Sequence, residues 1–256
     1  MTARPRRSEL PSPQVREFRN LLEAALNELD DESRLVGNAK FGVYAFYDYD
    51  GEPIYVGQTN ERLRTRIRRH LTNQRTDAVA MRVLDIFEVA ELEMWPLWEL
   101  EDETKEIVQE RLDQVEYSAY VKAIRDSRFQ AILNEKIPPV SPLVELPKSY
   151  RFPLVADEPL DERRHPDVRI ARRAETISRL AAVARERGEV SDGLRRVLVV
   201  QAVRLTYLAA TRLAEASGDP LPNPSAIDVT ALVGGLLAEE PDALTEEDVE
   251  HLELDE

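Results

Sequence analysis

"FGVYAFYDYDGEPIYVGQTNERLRTRIRRH" spans Phe41 to His70 and carries the fold decision for this chain. "GVYAFYD" and "PIYVG" are short runs rich in β-branched and aromatic residues, separated by Asp50-Gly51. That pattern predicts a β-hairpin, with glycine supplying the positive φ that the turn wants. The residues that follow, about 61–75, read as a helix carrying Arg62, Arg64, Arg66, Arg68 and Arg69. Tyrosines and arginines are therefore laid out in one compact unit.

The rest of the chain makes that unit unusual. Its 256 residues carry a formal net charge of −15, which argues against nonspecific attraction of the whole molecule to nucleic acid. The charge is uneven. Between Arg62 and Arg82 stand seven arginines and a single acid, Asp77, whereas Glu239 to Glu256 holds ten acids and no Lys or Arg. A hydrophobic fraction of 43% is enough to bury a core, and the length suits one domain or a domain plus an extension. Cysteine is absent, which excludes disulfides, thiolate metal sites and cysteine nucleophiles. "MTARPRRSEL" is not followed by an apolar h-region, and apolar runs such as "VLVVQAV" are short for a bilayer. These features predict a cytoplasmic protein with no membrane partner.

Outward from the hairpin, residues 13–30 read as an amphipathic helix with Val15, Phe18, Leu21, Leu22, Ala25 and Leu29 on one side. "ELEMWPL" reads as a third strand ending near Pro96, and a long helix is expected from about Glu103 to Arg125. Six prolines between Pro138 and Pro159 mark a linker or wrapping arm. Beyond it, helices are expected over roughly 167–187, 191–217, 225–239 and 244–254. The fold class is α/β: a small module with a short antiparallel sheet flanked by helices, followed by a mainly helical C-terminal part.

Several residues could carry chemistry. Arg66 and His70 are four apart and share a helix face with Arg62, which makes either a phosphate clamp or a solvated basic face. On the long helix, Val108, Leu112, Val115, Ala119 and Ala123 form an apolar stripe. Glu116 projects into that stripe, while Glu106, Glu110 and Asp113 are expected to point away. A carboxylate there needs a cation, from a buried salt bridge or a metal ion. Tyr44 and Tyr55 flank the turn beside Gly42 and Gly57, and glycine in a strand often marks close approach of a ligand or another backbone. Packing accounts for such tyrosines equally well, and Asn134 could cap or pin a turn.

Taken in order, these residues resemble the GIY-YIG endonuclease family. Its motif pair stands here as Gly42-Val43-Tyr44 and Tyr55-Val56-Gly57, followed by Arg66 and His70, then Glu116, then Asn134. Valine replaces isoleucine in both motifs, and Gln58 stands where relatives often carry lysine. The resemblance covers about residues 40–136 and implies a metal-dependent phosphodiesterase cutting DNA. Glu116 would hold one Mg2+ (or Mn2+) and Arg66 would stabilise charge on the phosphate. Tyr44 would accept the proton of the attacking water, with His70 hydrogen-bonding the tyrosine or phosphate. Tyr55 would contact the phosphate or leaving oxygen, and Asn134 would orient the site. Arg62, Arg64, Arg68, Arg69 and Gln58 are the expected nucleic-acid contacts.

The expected division is an N-terminal helical segment (1–39), the nuclease domain (40–137), the proline-rich arm (138–160) and a helical region with an acidic tail (161–256). That last region would select substrate, form a homodimer or bind a partner protein. The family resemblance favours a stand-alone bacterial restriction or defence nuclease. Its alternatives are a repair or structure-specific nuclease, or a catalytically idle DNA-binding or interaction module.

Overall fold

Ser12 and Pro13 open the first helix: the Ser12 hydroxyl accepts from Val15 N, and proline occupies the first turn, where no N–H is needed. This helix, α1, runs Pro13–Leu26 in the computed structural model, which describes residues 11–72, 83–155 and 162–237. It ends four residues short of the expected 13–30. The hairpin follows as β1 (Gly42–Tyr47) and β2 (Pro53–Thr59), antiparallel, with Gly51 at φ +69° in the turn. Then come α2 (Leu63–Leu71), β3 (Glu91–Pro96) and α3 (Lys105–Asp126), all where the sequence pattern placed them within a few residues.

The sheet has one strand more than the sequence predicts. Tyr150–Pro153, inside the proline-rich stretch, forms β4 and pairs antiparallel with β3, so the order is β2-β1-β3-β4. From Pro138 up to that point the stretch has neither helix nor strand. In the C-terminal part α4 (Pro166–Arg187) and α5 (Asp192–Ser217) match the expectation. The helix expected over 225–239 does not form at that length: among the described residues there are a 3-10 turn at Pro224–Ala226 and the short α6, Val229–Val233, which Gly234 stops at φ +82°. The expected 244–254 helix and the acidic tail lie outside the described residues, as do Arg75 and Arg82.

The core lies between the sheet and its helices. Leu22 and Leu26 of α1, Leu63, Ile67 and Leu71 of α2, Leu112 and Val115 of α3, and Leu92 and Met94 of β3 are all buried. Helix α2 takes its orientation from its four-residue spacings: Leu63, Ile67 and Leu71 face the core, and Arg64 and Arg68 face α1.

Helix α5 is long and apolar enough to cross a membrane by length and composition, which exceeds the sequence expectation. Here it packs against α4 and buries Arg204 in an ionic cluster with the base of the hairpin. Asp48, just after β1, accepts from Asp50 N (2.9 Å) and Glu52 N (3.2 Å) through Oδ1, which holds the turn. Its Oδ2 accepts from Arg204 and Arg173 (2.9 Å each) and Arg169 (3.4 Å). Glu88 receives Arg169, Arg172 and Arg173 beside it. Burial would raise the Asp48 carboxyl, yet Arg204, Arg173 and Arg169 hold it below the usual carboxylate range.

Candidate active site

Strand alternation turns Tyr44, Phe46 and Tyr55 to one face, since Tyr44 registers with Gly57 and Phe46 with Tyr55. Their rings pack together, Tyr44 and Tyr55 at 6.1 Å and Phe46 and Tyr55 at 5.8 Å between centroids. Helix α2 lies over this face and sets the His70 ring 5.8 Å from Tyr44 and 5.4 Å from Tyr55. Both motif glycines are needed for the fit. A Cβ on Gly57 would stand 2.9 Å from the Tyr44 hydroxyl, and one on Gly42 would stand 2.8 Å from Trp95 O and 3.0 Å from a Leu63 methyl.

Tyr44 is fully buried, and Arg66 Nε donates to its hydroxyl at 3.4 Å. Burial, then the neighbouring Tyr55, pushes the Tyr44 phenol well above the ordinary tyrosine range, against the partial pull of Arg66. Tyr55 is only partly buried and is also raised, by burial first. Burial, then the charges of Arg66 and Arg69, lowers His70 to about 4, so its imidazole is neutral at pH 7.

Glu116 reaches this cluster from α3. Its carboxyl faces the side-chain amide and backbone N–H of Gln58, and burial raises it to about 7. It makes no ion pair among the described residues. Asp113 corrects the sequence expectation. It does not point away but accepts from Gln58 Nε2 at 2.8 Å, because residues three apart on a helix are surface neighbours. Asn134 pins β2: its Oδ1 accepts from Val56 N (3.0 Å) and its Nδ2 donates to Val56 O (2.8 Å).

Tyr44, Tyr55, Arg66, His70, Gln58 and Glu116 are thus brought together, with Asn134 behind β2. The other arginines have separate partners. Arg64 donates to Leu26 O and Asn27 Oδ1 at the end of α1 (3.1 Å each), Arg68 pairs with Glu23, and Arg69 pairs with Glu61. Arg62 is exposed. A family model described as the GIY-YIG catalytic domain matches residues 40–117. This chain carries a GIY-YIG nuclease domain. Comparison with curated proteins found no match, nor did comparison with solved structures.

The GIY-YIG site suits a hard cation. Glu116 is a half-buried carboxylate lacking an ion pair, with Asp113 one turn away, and the described residues gather no cluster of three or more His, Cys, Asp or Glu. Mg2+ is commonly held by one or two carboxylates with waters and substrate phosphate, so this donor set fits it. Asp113 was legible in the sequence as the i−3 neighbour of Glu116. The burial of Arg169, Arg173 and Arg204 against Asp48 was not, since those partners are 121 to 156 positions apart.

Proposed function

We propose that this chain is a divalent-metal-dependent endonuclease that hydrolyses DNA phosphodiester bonds. The observation that carries the reading is the convergence of Arg66, His70, both motif phenols and Glu116 on one side of the hairpin. Glu116, with Asp113 beside it, would hold Mg2+ or Mn2+; when bound, that ion supplies electrostatic stabilisation of charge on the phosphate and its oxygens. Arg66, free of carboxylate partners among the described residues, would direct its guanidinium at the scissile phosphate.

The proton-accepting role expected of Tyr44 suits His70 better. His70 is neutral at pH 7, whereas burial makes the Tyr44 phenol still harder to ionise. Tyr44, fully buried and kept protonated, would act through its hydrogen bond with Arg66, orienting that guanidinium toward the phosphate. Tyr55, the more exposed phenol, would meet the leaving oxygen. Arg62 is positioned for the DNA backbone, while Arg64, Arg68 and Arg69 would act chiefly by fixing α2. A restriction or defence role is the reading we favour, with a repair or structure-specific nuclease as its alternative.

The test uses plasmid DNA, modified and unmodified, with and without Mg2+. Wild type is expected to cut only with metal, and Glu116→Gln to lose activity while keeping its circular dichroism spectrum. Metal-independent cutting, or full activity in Glu116→Gln, refutes the proposal. DNA binding without any cutting would leave an interaction module.

A further inference from the structure

Helix α5 meets the catalytic strand directly at one point and the segment that follows Asn134 at another. Near its C-terminal half, fully buried Arg204 donates to Asp48 Oδ2 at 2.9 Å and to Pro53 O at 3.3 Å. Pro53 is the first residue of β2 and Asp48 closes the turn before it. At the N-terminus of α5 the contact is steric. Glu135 O receives Arg196 Nη2 at 3.0 Å and lies so close to Gly193 that a Cβ there would be 1.9 Å away. The Ser191 hydroxyl, which caps α5, also donates to Glu135 Oε1 at 2.7 Å. Glu135 directly follows Asn134, whose amide grips Val56 between Tyr55 and Gly57.

We infer that α5 is a positioning element of the nuclease site, and that Gly193 is the positioning residue through which it holds Asn134 against β2. The inference rests on the nuclease reading for its consequence in rate, but not for its consequence in structure. Gly193 has helical neighbours and no positive φ to justify it. Its one evident requirement is the approach of the Glu135 carbonyl. Alanine would otherwise favour the helix, so any damage from Gly193→Ala comes from that contact. Ordinary contact for the new methyl needs a shift of more than an ångström in the 134–136 segment, and the Asn134 amide would be drawn off Val56. Arg204 limits how far the strand can follow, because it fixes the other end of β2.

The experiment compares full-length wild type, Gly193→Ala and Leu180→Ala. Leu180 is a buried α4 residue outside the site and controls for general destabilisation. Hydrogen exchange is read at the Val56 amide, and single-turnover cleavage at saturating DNA is read well below each melting temperature. Gly193→Ala is expected to speed Val56 exchange at least ~10-fold. It should also slow cleavage by roughly 100-fold, the scale of an ångström-sized misplacement, with DNA Kd within about 2-fold. Leu180→Ala should unfold earlier and keep its cleavage rate near wild type, with Val56 exchange rising only in step with the core amides that exchange by global unfolding. Val56 exchange in Gly193→Ala that rises no more than those core amides overturns the inference, as does an equal loss of cleavage in Leu180→Ala. If wild type cuts no DNA, the nuclease reading fails, while the exchange result still decides whether α5 positions Asn134.

Discussion

Arg204→Met tests whether the helical region and the nuclease module fold as one. Arg204 is 1% exposed and Asp48 2%. The substitution removes two charge-assisted hydrogen bonds, to Asp48 and to Pro53 O, losses of about 1.5–3 kcal/mol each. Two effects offset this. Methionine fills much of the volume, and one buried guanidinium no longer needs desolvating. Asp48 also keeps Arg173 and Arg169, so its carboxylate is not orphaned. A net loss of roughly 3 kcal/mol follows.

Asp48→Ala should cost about 3–5 kcal/mol, because Arg204 is then left with Pro53 O and a Glu52 oxygen 4.0 Å away. The double variant should lose less than the sum, since each change removes the same pair. Arg128→Ala should cost about 1–3 kcal/mol, because it removes the guanidinium from buried Glu52 while Ser127 Oγ and the residue 128 N–H still donate to that carboxylate. Urea unfolding followed by circular dichroism and by tryptophan fluorescence measures all of these. A wild type with two separate transitions would refute the reasoning, as would an Arg204→Met loss below ~1 kcal/mol or strict additivity with Asp48→Ala.

Two further outcomes are expected. Tyr44→Phe and Arg66→Ala should each lower the single-turnover rate at least ~10-fold with DNA affinity nearly unchanged, and a rate near wild type removes the role assigned to that residue. His70 makes stability depend on pH. Its folded pKa of about 4 lies below the unfolded value of 6.5, so the unfolded chain binds the extra proton as pH falls through that window. The contribution is fully present above pH 6.5 and is lost toward pH 4. Wild type should therefore lose roughly 2–3 kcal/mol more than His70→Gln between pH 7 and 4.5, and equal losses in the two proteins would refute the burial argument.

The hairpin and α2 were legible because their signals are local: Asp50-Gly51 at the turn, alternation on either side, and leucine and isoleucine at four-residue spacing. Glu116 was legible from the helical wheel alone, since an acid on an apolar stripe stands out. Strand β4 was not. "YRFP" is four residues long and lies among prolines, and its pairing with β3 comes from tertiary contact. The arginines of α2 misled for the same reason. A helix surface shows which residues share a side but not what lies opposite, and for Arg64 and Arg68 that is α1. In α4, nothing in the local pattern marks Arg169 and Arg173 for burial, because the Asp48 and Glu88 carboxylates that receive them are distant in sequence.

One edge explains why the site residues come from such distant segments. Strand β2 is at the margin of the sheet, so alternate backbone groups face outward with no strand to meet them. Ile54 O accepts from Leu133 N at 2.8 Å, Val56 N and O are taken by the Asn134 amide, and Gln58 N–H faces the Glu116 carboxyl. These outward groups repeat every second residue, about 6.7 Å apart. The strand therefore sets the spacing between Asn134 and Glu116, while the residues between, Tyr55 and Gly57, face the phenol cluster. A one-residue slip would turn Tyr55 away and present the wrong backbone groups to Asn134 and Glu116 together. Register is decided at the hairpin base, where pairing shifts between Phe46 and Tyr47 and Asp48 holds the turn. Asp48 is in turn held by arginines of α4 and α5, so the charges buried there act on the chemistry through the register of a single strand.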